Sequence, residues 1–452
     1  MTKQECAIKY ITENYLEFNR LRHDIVSDKL QIRVADSLED ASLQDAPEGL
    51  QFRGKEMWRE MTKHDINSIV CHAAQEYDAN ITSREVMTAL QSDLIPDVHP
   101  LREYILSCRE WTEEQPDWID FVASQVRVAD NASDSEKGSN GSKSSKGESA
   151  VEISRTSRTP STKADTLWRG CFKKWFVAMV ASWMKDEVVN HQVLVLIGKQ
   201  GIFKTTWLEH LIPPHLRAYA CKLANSNDLN KDERLRIAEF GLISLDEIDS
   251  MNNRELNQLK SVITATDVNE RAAYAYTKER RVRLASFCAS GNRRDFLTDI
   301  TGNRRWLPFE VESIQNPFYT LLPYERMYAQ AWALAQDPLF SYWFDLDEIE
   351  VLEEHNQHFR DESNEEQLLD VYFAVPAEGA SNTKFLTTAE ISERLIYYGN
   401  IKRPLSLSRL GVLLSQKGFL SIRKGSPQRR GWVVYERDNE EINAERRILS
   451  KT

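Results

Sequence analysis

The sequence predicts an α/β protein with a parallel sheet at its centre, preceded by an N-terminal α+β module and followed by a helical connector and a small C-terminal domain. Three observations carry this. Short β-rich runs, VLVLI (193–197), FGLISL (240–245) and LASFCAS (284–290), are separated by helical stretches. A glycine-rich segment, GKQGIFKTT, follows the first run at once, and the second run ends on the acids Asp246 and Glu247. Continuous apolar runs bounded by turn residues fit strands buried on both faces, as in a parallel sheet.

At 452 residues the chain exceeds one ordinary core, since domains run to roughly 100 to 200 residues. Residues 1–129 mix a helical opening (Cys6 to Leu21), strand-like pieces, a helix pattern over Asp65 to Tyr77 and Ser83 as the N-cap of another helix, which predicts an α+β module. Residues 130–163 are rich in Ser, Gly, Lys and Glu with almost no large apolar side chains, so they cannot offset the entropy of ordering and form a disordered linker. The sheet-bearing domain spans 164–340, an acidic helical connector 341–386, and the C-terminal domain 387–452.

Composition narrows the function classes. With 41% hydrophobic and 28% charged residues the chain is globular, and a net charge of −11 excludes a wholly basic nucleic-acid coat while leaving room for local basic faces. No apolar run reaches the roughly 18 to 20 residues that span a bilayer, the nearest being Trp175 to Met184, and MTKQECAIKY lacks a signal-peptide core. These features predict a cytoplasmic protein without membrane partners. The six cysteines are scattered with no CxxC spacing, which supports neither a zinc site nor a disulfide framework.

In GKQGIFKTT, Gly198 and Lys204 stand six positions apart between a strand and a helix, the GxxxxGK[ST] context of a phosphate-binding loop. Gly198 and Gly201 allow the backbone to turn and present N–H groups, Lys204 reaches the β/γ oxygens of ATP, Thr205 places its hydroxyl on Mg²⁺, and Thr206 completes the loop. One departure is visible: Phe203 stands where a glycine usually precedes the lysine. In LISLDEID, an acid at the end of a strand holds the Mg²⁺ water shell, the task given to Asp246. The next acid, Glu247, orients or deprotonates the attacking water. Asp249 belongs to the turn that follows. LASFCASGN closes on Asn292, whose amide is set to bind the γ-phosphate or the lytic water. In TGNRRWLPFEV, Arg304 and Arg305 follow a Gly-Asn turn, and one of them is expected to act as an arginine finger toward a neighbouring subunit's γ-phosphate.

Taken in this order, the motifs over about residues 165–315 resemble those of the virulence-associated protein E family and the related superfamily 3 helicases of viruses, phages and mobile elements. HPLREYILSCREW (99–111) is similar to the segment such proteins carry upstream. The resemblance implies an AAA+-like P-loop ATPase ring, a hexamer, that hydrolyses ATP between subunits and moves DNA through a central pore. It also implies that pore-facing groups lie between the acidic strand and the LASFCASGN strand. There, Tyr274, Tyr276, Lys278, Arg280 and Arg281 set aromatic and basic side chains together, suited to stacking on bases and following phosphates of single-stranded DNA.

Residues 401–437 hold nine basic residues against one acid, Glu436. SLSRLGVLLSQKGFLSIRKGSPQRRGWVVYER resembles a winged helix, with Ser406 capping the recognition helix and SPQRRG as the wing tip. Arg423, Lys424, Arg429 and Arg430 are the candidate contacts to duplex DNA. The expected function is an oligomeric ATP-dependent DNA helicase or translocase for replication of a phage, plasmid or mobile element. The alternative is an AAA+ switch that acts on protein partners in defence or regulation.

Overall fold

The computed structural model describes residues 1–34, 57–130, 162–223, 236–270, 279–297, 303–360, 364–377, 383–399, 406–424 and 428–449. The expected linker at 130–163 lies almost wholly outside them. Two units emerge: Met1–Arg294 with Arg304–Asn356, and Asp295–Asn303 with Gln357–Thr452.

The first unit opens with helix Lys3–Ile11, capped by Thr2, and then helix Lys63–Glu76, capped by Thr62. In both, an acid three positions after the cap returns a bond to the cap's backbone N–H, so two orphan donors are satisfied at each start. The next helix, Ser83–Leu90, begins one residue after Thr82, so Ser83 is its first helical residue and not its cap. Strands Leu21–Asp24 (β1), Lys29–Val34 (β2), Met57–Glu60 (β3) and Asp97–Val98 (β4) form a sheet in the order β3-β2-β1-β4. Only β4 runs parallel to its neighbour, β1. The three helices and this sheet share a core that includes Ile11, Leu21, Ile69, Ala73 and Val86.

The central sheet has the order β5-β12-β6-β11-β8-β7, made of Val126–Val128 (β5), Val193–Ile197 (β6), Ala220–Leu223 (β7), Leu242–Leu245 (β8), Ser286–Gly291 (β11) and Trp306–Ile314 (β12). Between β8 and β11 the chain makes an antiparallel pair, Asp267–Glu270 (β9) and Glu279–Val282 (β10). The five strands from β12 to β7 are all parallel, as the apolar runs of β6, β8 and β11 predict. Every residue of β6, β8 and β11 is buried. The edge strand β5 comes from the stretch assigned to the N-terminal module and runs antiparallel to β12, so the sheet recruits residues from before position 129.

Helix Lys163–Met184 packs beside this sheet and is buried on nearly all sides. Its three tryptophans explain how an all-round apolar helix is fixed. A buried indole still carries one donor that must find an acceptor. Trp168 donates to the carbonyl of Ala123 at 3.0 Å, Trp175 to Phe287 at 3.1 Å and Trp183 to Gly241 at 3.1 Å. The helix is thereby bonded to the end of helix Trp118–Ala123, to β11 and to the residue before β8. Among the described residues no helix is long and apolar enough to cross a membrane.

In the second unit Phe373–Ala374 (β13), Thr383–Leu386 (β14), Leu420–Lys424 (β15) and Arg429–Glu436 (β16) form one antiparallel sheet around β16. Helices Asn364–Tyr372, Thr388–Gly399 and Leu407–Gln416 supply its core, including Leu369, Ile391, Leu410 and Leu414 against Trp432 and Val434. Ser406 caps the third of these, accepting the N–H of Arg409 at 3.3 Å. β13 and β14 arise from the stretch assigned to the acidic connector, so this unit begins earlier in the chain than position 387.

Candidate functional site

Because β6, β8 and β11 are parallel and in register, their carboxyl ends finish along one edge, with Ile197 opposite Gly291 and Leu245 opposite Ala289. The outside of the carboxyl ends of a parallel sheet is where open α/β proteins bind ligands. GKQGIFKTT, DEID and GN all leave the sheet there.

Gly198 is held close to the neighbouring strand: its N–H donates to the carbonyl of Gly291 at 3.2 Å, and a Cβ on it would lie 2.7 Å from the carbonyl oxygen of Val311. Gly201 takes a positive φ of 85°. Phe203 also takes a positive φ, 67°, directly before helix Lys204–His210. Lys204 is buried, and its ammonium donates to the carbonyls of Gly198 at 2.8 Å and Lys199 at 2.7 Å and to Oδ1 of Asn292 at 3.3 Å. Burial pulls its pKa below the ordinary lysine value, against the charges of Asp249 and Asp246, which favour the ammonium.

One residue into the helix, the Thr205 hydroxyl donates to Oδ1 of Asp246 at 3.3 Å and lies 2.9 Å from the hydroxyl of Ser290, which itself donates to the same carboxylate oxygen at 2.7 Å. The other oxygen of Asp246 pairs with Lys222, at the end of β7, at 2.7 Å. Burial alone would raise the Asp246 pKa, but the bonds from Lys222, Ser290 and Thr205 outweigh it and hold the carboxyl below its usual range. Thr206 is half-buried in the first helical turn. Glu247 is exposed at the edge and takes a left-handed φ of 52°. Asp249 accepts the backbone N–H groups of Asn292 at 3.2 Å and Arg293 at 3.1 Å.

The site therefore brings together Gly198, Lys204, Thr205, Asp246 and Asn292, all named from sequence. It adds Ser290, Lys222, Asp249 and Arg293. Only Asp249 had a sequence signal, as a further acid in LDEID, and its bonding gives it more than the plain turn role expected for it. Its donor set is oxygen-rich, a hydroxyl and a carboxylate within bonding distance of each other. This suits a hard cation held by one carboxylate and by substrate phosphates. No group of three or more His, Cys, Asp or Glu among the described residues forms a dedicated metal cage.

Arg304 and Arg305 lie elsewhere. They precede β12, whose first residue, Trp306, is opposite Val193, the first residue of β6. That is the amino edge of the sheet, roughly 16 Å from the Gly198 loop at about 3.3 Å per strand residue. There burial, and then the charges of Arg283, Arg305 and Arg304, push the His191 imidazole below its ordinary pKa against a bond to the carbonyl of Ile263.

Of the residues named for single-stranded DNA, Tyr274, Tyr276 and Lys278 lie outside the described residues. Arg280 contributes backbone to β10 opposite Asn269, and its side chain also lies outside them. Arg281 is not presented to solvent: its side chain is 18% exposed and pairs with Asp28 at 2.9 Å and Glu239 at 3.6 Å. In the second unit Arg423 stands opposite Arg430 and Lys424 opposite Arg429 on β15 and β16, all four exposed.

Fold and edge thus define a parallel α/β protein with a glycine–lysine loop meeting a strand-end acid. Residues 149–367 match the virulence-associated protein E-like domain, which assigns that segment to the family its motifs resemble. Among solved structures the chain is similar to the apo NrS-1 C terminal region, at 10% identity and a TM-score of 0.45 over 96% of this chain and 100% of that one. An A form of the same region gives 11% identity and a TM-score of 0.43, covering 93% and 98%. No curated protein matches the chain.

Proposed function

We propose that the chain is a Mg²⁺-dependent ATPase of the AAA+ type that works as a homo-oligomer, a hexamer, and translocates along or unwinds DNA during replication of a phage, plasmid or other mobile element. The observation that carries the proposal is the contact set at one sheet edge: Lys204 on Asn292, and Thr205 with Ser290 on Asp246. β11 lies between β6 and β8, which sets Ser290 and Asn292 between the lysine loop and the acid.

In this reading the glycine loop surrounds the triphosphate of ATP, and the Lys204 ammonium turns from backbone carbonyls to the β/γ oxygens. Thr205 and Asp246 hold Mg²⁺, which when bound neutralises phosphate charge. Glu247 takes the proton of the attacking water and Asn292 orients that water or the γ-phosphate. Arg304 and Arg305, before β12 at the amino edge of the sheet, stand too far from their own loop to serve it, which supports a role toward the nucleotide of a neighbouring copy. At the tip of β15 and β16, cations directly opposite one another repel, and a phosphate backbone relieves that repulsion. This hairpin, next to the Ser406-capped helix, supports a winged-helix reading of the second unit and a contact to duplex DNA.

A second reading, an ATPase switch acting on protein partners, draws on Arg281, which is engaged by Asp28 and Glu239. ATP hydrolysis measured with and without single-stranded DNA at one stated ionic strength separates the two. The helicase reading expects stimulation. Hydrolysis indifferent to every DNA tried, but stimulated by a protein partner, would replace it with the switch.

A further inference from the structure

Phe203 holds a backbone conformation that bulky side chains rarely enter, and the contacts of its ring indicate what the conformation achieves. It meets Phe318 edge to face, with centroids 6.4 Å apart and planes at 79°. Phe318 also meets the ring of His210 at 5.5 Å and 85°. Phe203 and His210 flank the helix that begins at Lys204, one before it and one at its last residue.

Phe318 is nevertheless 65% exposed, and Tyr319 beside it is 80% exposed. Their turn is firmly tied. The N–H of Phe318 donates to Oδ1 of Asn316 at 3.0 Å, and the N–H groups of Tyr319 and Thr320 both donate to the Asn316 carbonyl at 3.1 Å. A little further on, the Tyr324 hydroxyl donates to the carbonyl of His210 at 2.7 Å. An aromatic ring is thus kept in water, braced on two sides, on a fixed turn one ring away from the lysine loop. A preset, exposed aromatic face loses little freedom when a flat partner stacks on it.

We infer that Phe318, braced by Phe203 and His210, is the stacking platform for the base of a nucleoside triphosphate whose phosphates lie on the Gly198–Lys204 loop. The inference rests on the nucleotide site proposed above. It gives the Phe203 departure a purpose: the residue that strains the loop supports the platform. Stacking uses the face of a base and not its hydrogen-bonding edge, so this platform favours a base over no base without choosing ATP over GTP.

The test measures Mg²⁺-dependent binding of ATP, GTP and inorganic tripolyphosphate to the full chain and its variants. Phe318→Ala is expected to weaken ATP and GTP alike, about tenfold, and to leave tripolyphosphate binding unchanged, while Phe318→Tyr keeps wild-type affinities. Phe203→Gly, which removes the brace, should likewise weaken ATP and GTP relative to tripolyphosphate. Wild-type ATP affinity in Phe318→Ala overturns the platform while leaving the nucleotide site standing; a changed oligomeric state in that same variant would assign the ring to contact between copies. If the wild type binds neither ATP nor tripolyphosphate, the nucleotide site fails and the platform with it.

Discussion

Asp249 accepts the backbone N–H of Asn292 at 3.2 Å, tying the turn after β8 to the turn after β11. The approach is tight, since a Cβ on Gly291 would lie 2.8 Å from the same carboxylate oxygen. Asp249 thus sets where the Asn292 amide stands, and its charge favours the Lys204 ammonium. Removing it should misplace Asn292 more than it weakens nucleotide binding. Asp249→Ala is expected to lower kcat for ATP hydrolysis by roughly 10- to 100-fold with KM changed little. Steady-state kinetics check this, and an equal loss in KM with kcat intact would make Asp249 part of the binding surface instead.

Gly241 has no room for a side chain: a Cβ there would sit 2.9 Å from both the Trp183 ring and Leu101. The backbone is held at that distance by the Trp183 indole bonded to the Gly241 carbonyl. Gly241→Ala should therefore destabilise the first unit by about 1–3 kcal/mol through overpacking. Chemical denaturation followed by tryptophan fluorescence measures it, and an unchanged midpoint would contradict the packing.

Glu436, the one acid in the basic stretch 401–437, accepts from Lys384 at 2.6 Å, from Tyr398 at 2.8 Å and from Arg394. Burial opposes its charge, but these three partners outweigh it and hold its pKa at about 2, below the carboxylate's usual 4.5. A carboxyl whose folded pKa is lowered contributes stability above its unfolded pKa and loses it as the pH falls. The second unit should thus lose stability between about pH 4.5 and 2, and Glu436→Gln should be less stable at neutral pH with a flatter acid limb. Parallel unfolding curves for the two proteins at all pH values would show that Glu436 contributes nothing.

The sequence made the core strands legible for a simple reason: five adjacent apolar residues in VLVLI leave a strand no polar face, so it must be buried on both sides. Lys204 and Thr205, at the start of the helix that follows the glycine loop, and Asp246, directly after β8, were legible from their recognisable spacing. Ser290 and Lys222 were not legible, because each acts through Asp246 on a neighbouring strand, and pairing order across a sheet leaves no local trace. The three residues of β5 carried too little pattern to be assigned to a sheet far along the chain. β13 and β14 were hidden in an acidic stretch whose charge dominated its apolar residues. For Trp168, Trp175 and Trp183 the helix was readable but not its acceptors, which come from three separate segments.

Arg304 and Arg305 stand at the amino edge, away from the loop of their own chain, so any role in hydrolysis must be exerted on another copy. Mixing an Arg304→Ala, Arg305→Ala double variant with Lys204→Ala should restore part of the activity that neither has alone. Each mixed pair can then join an intact lysine loop to an intact arginine pair. ATP turnover across mixing ratios checks this, with mixed oligomers verified by mass; no recovery at any ratio would remove the arginines from catalysis in trans.

The central claim is that the edge joining Lys204, Thr205, Asp246 and Asn292 hydrolyses ATP. The most direct measurement is Mg²⁺-dependent ATP turnover by the wild type, Lys204→Ala and Glu247→Gln, purified alike and matched for folding by circular dichroism. The account predicts measurable wild-type turnover, a loss of at least about 100-fold in both variants, and ATP binding kept in Glu247→Gln but weakened in Lys204→Ala. Wild-type turnover in Lys204→Ala would contradict it.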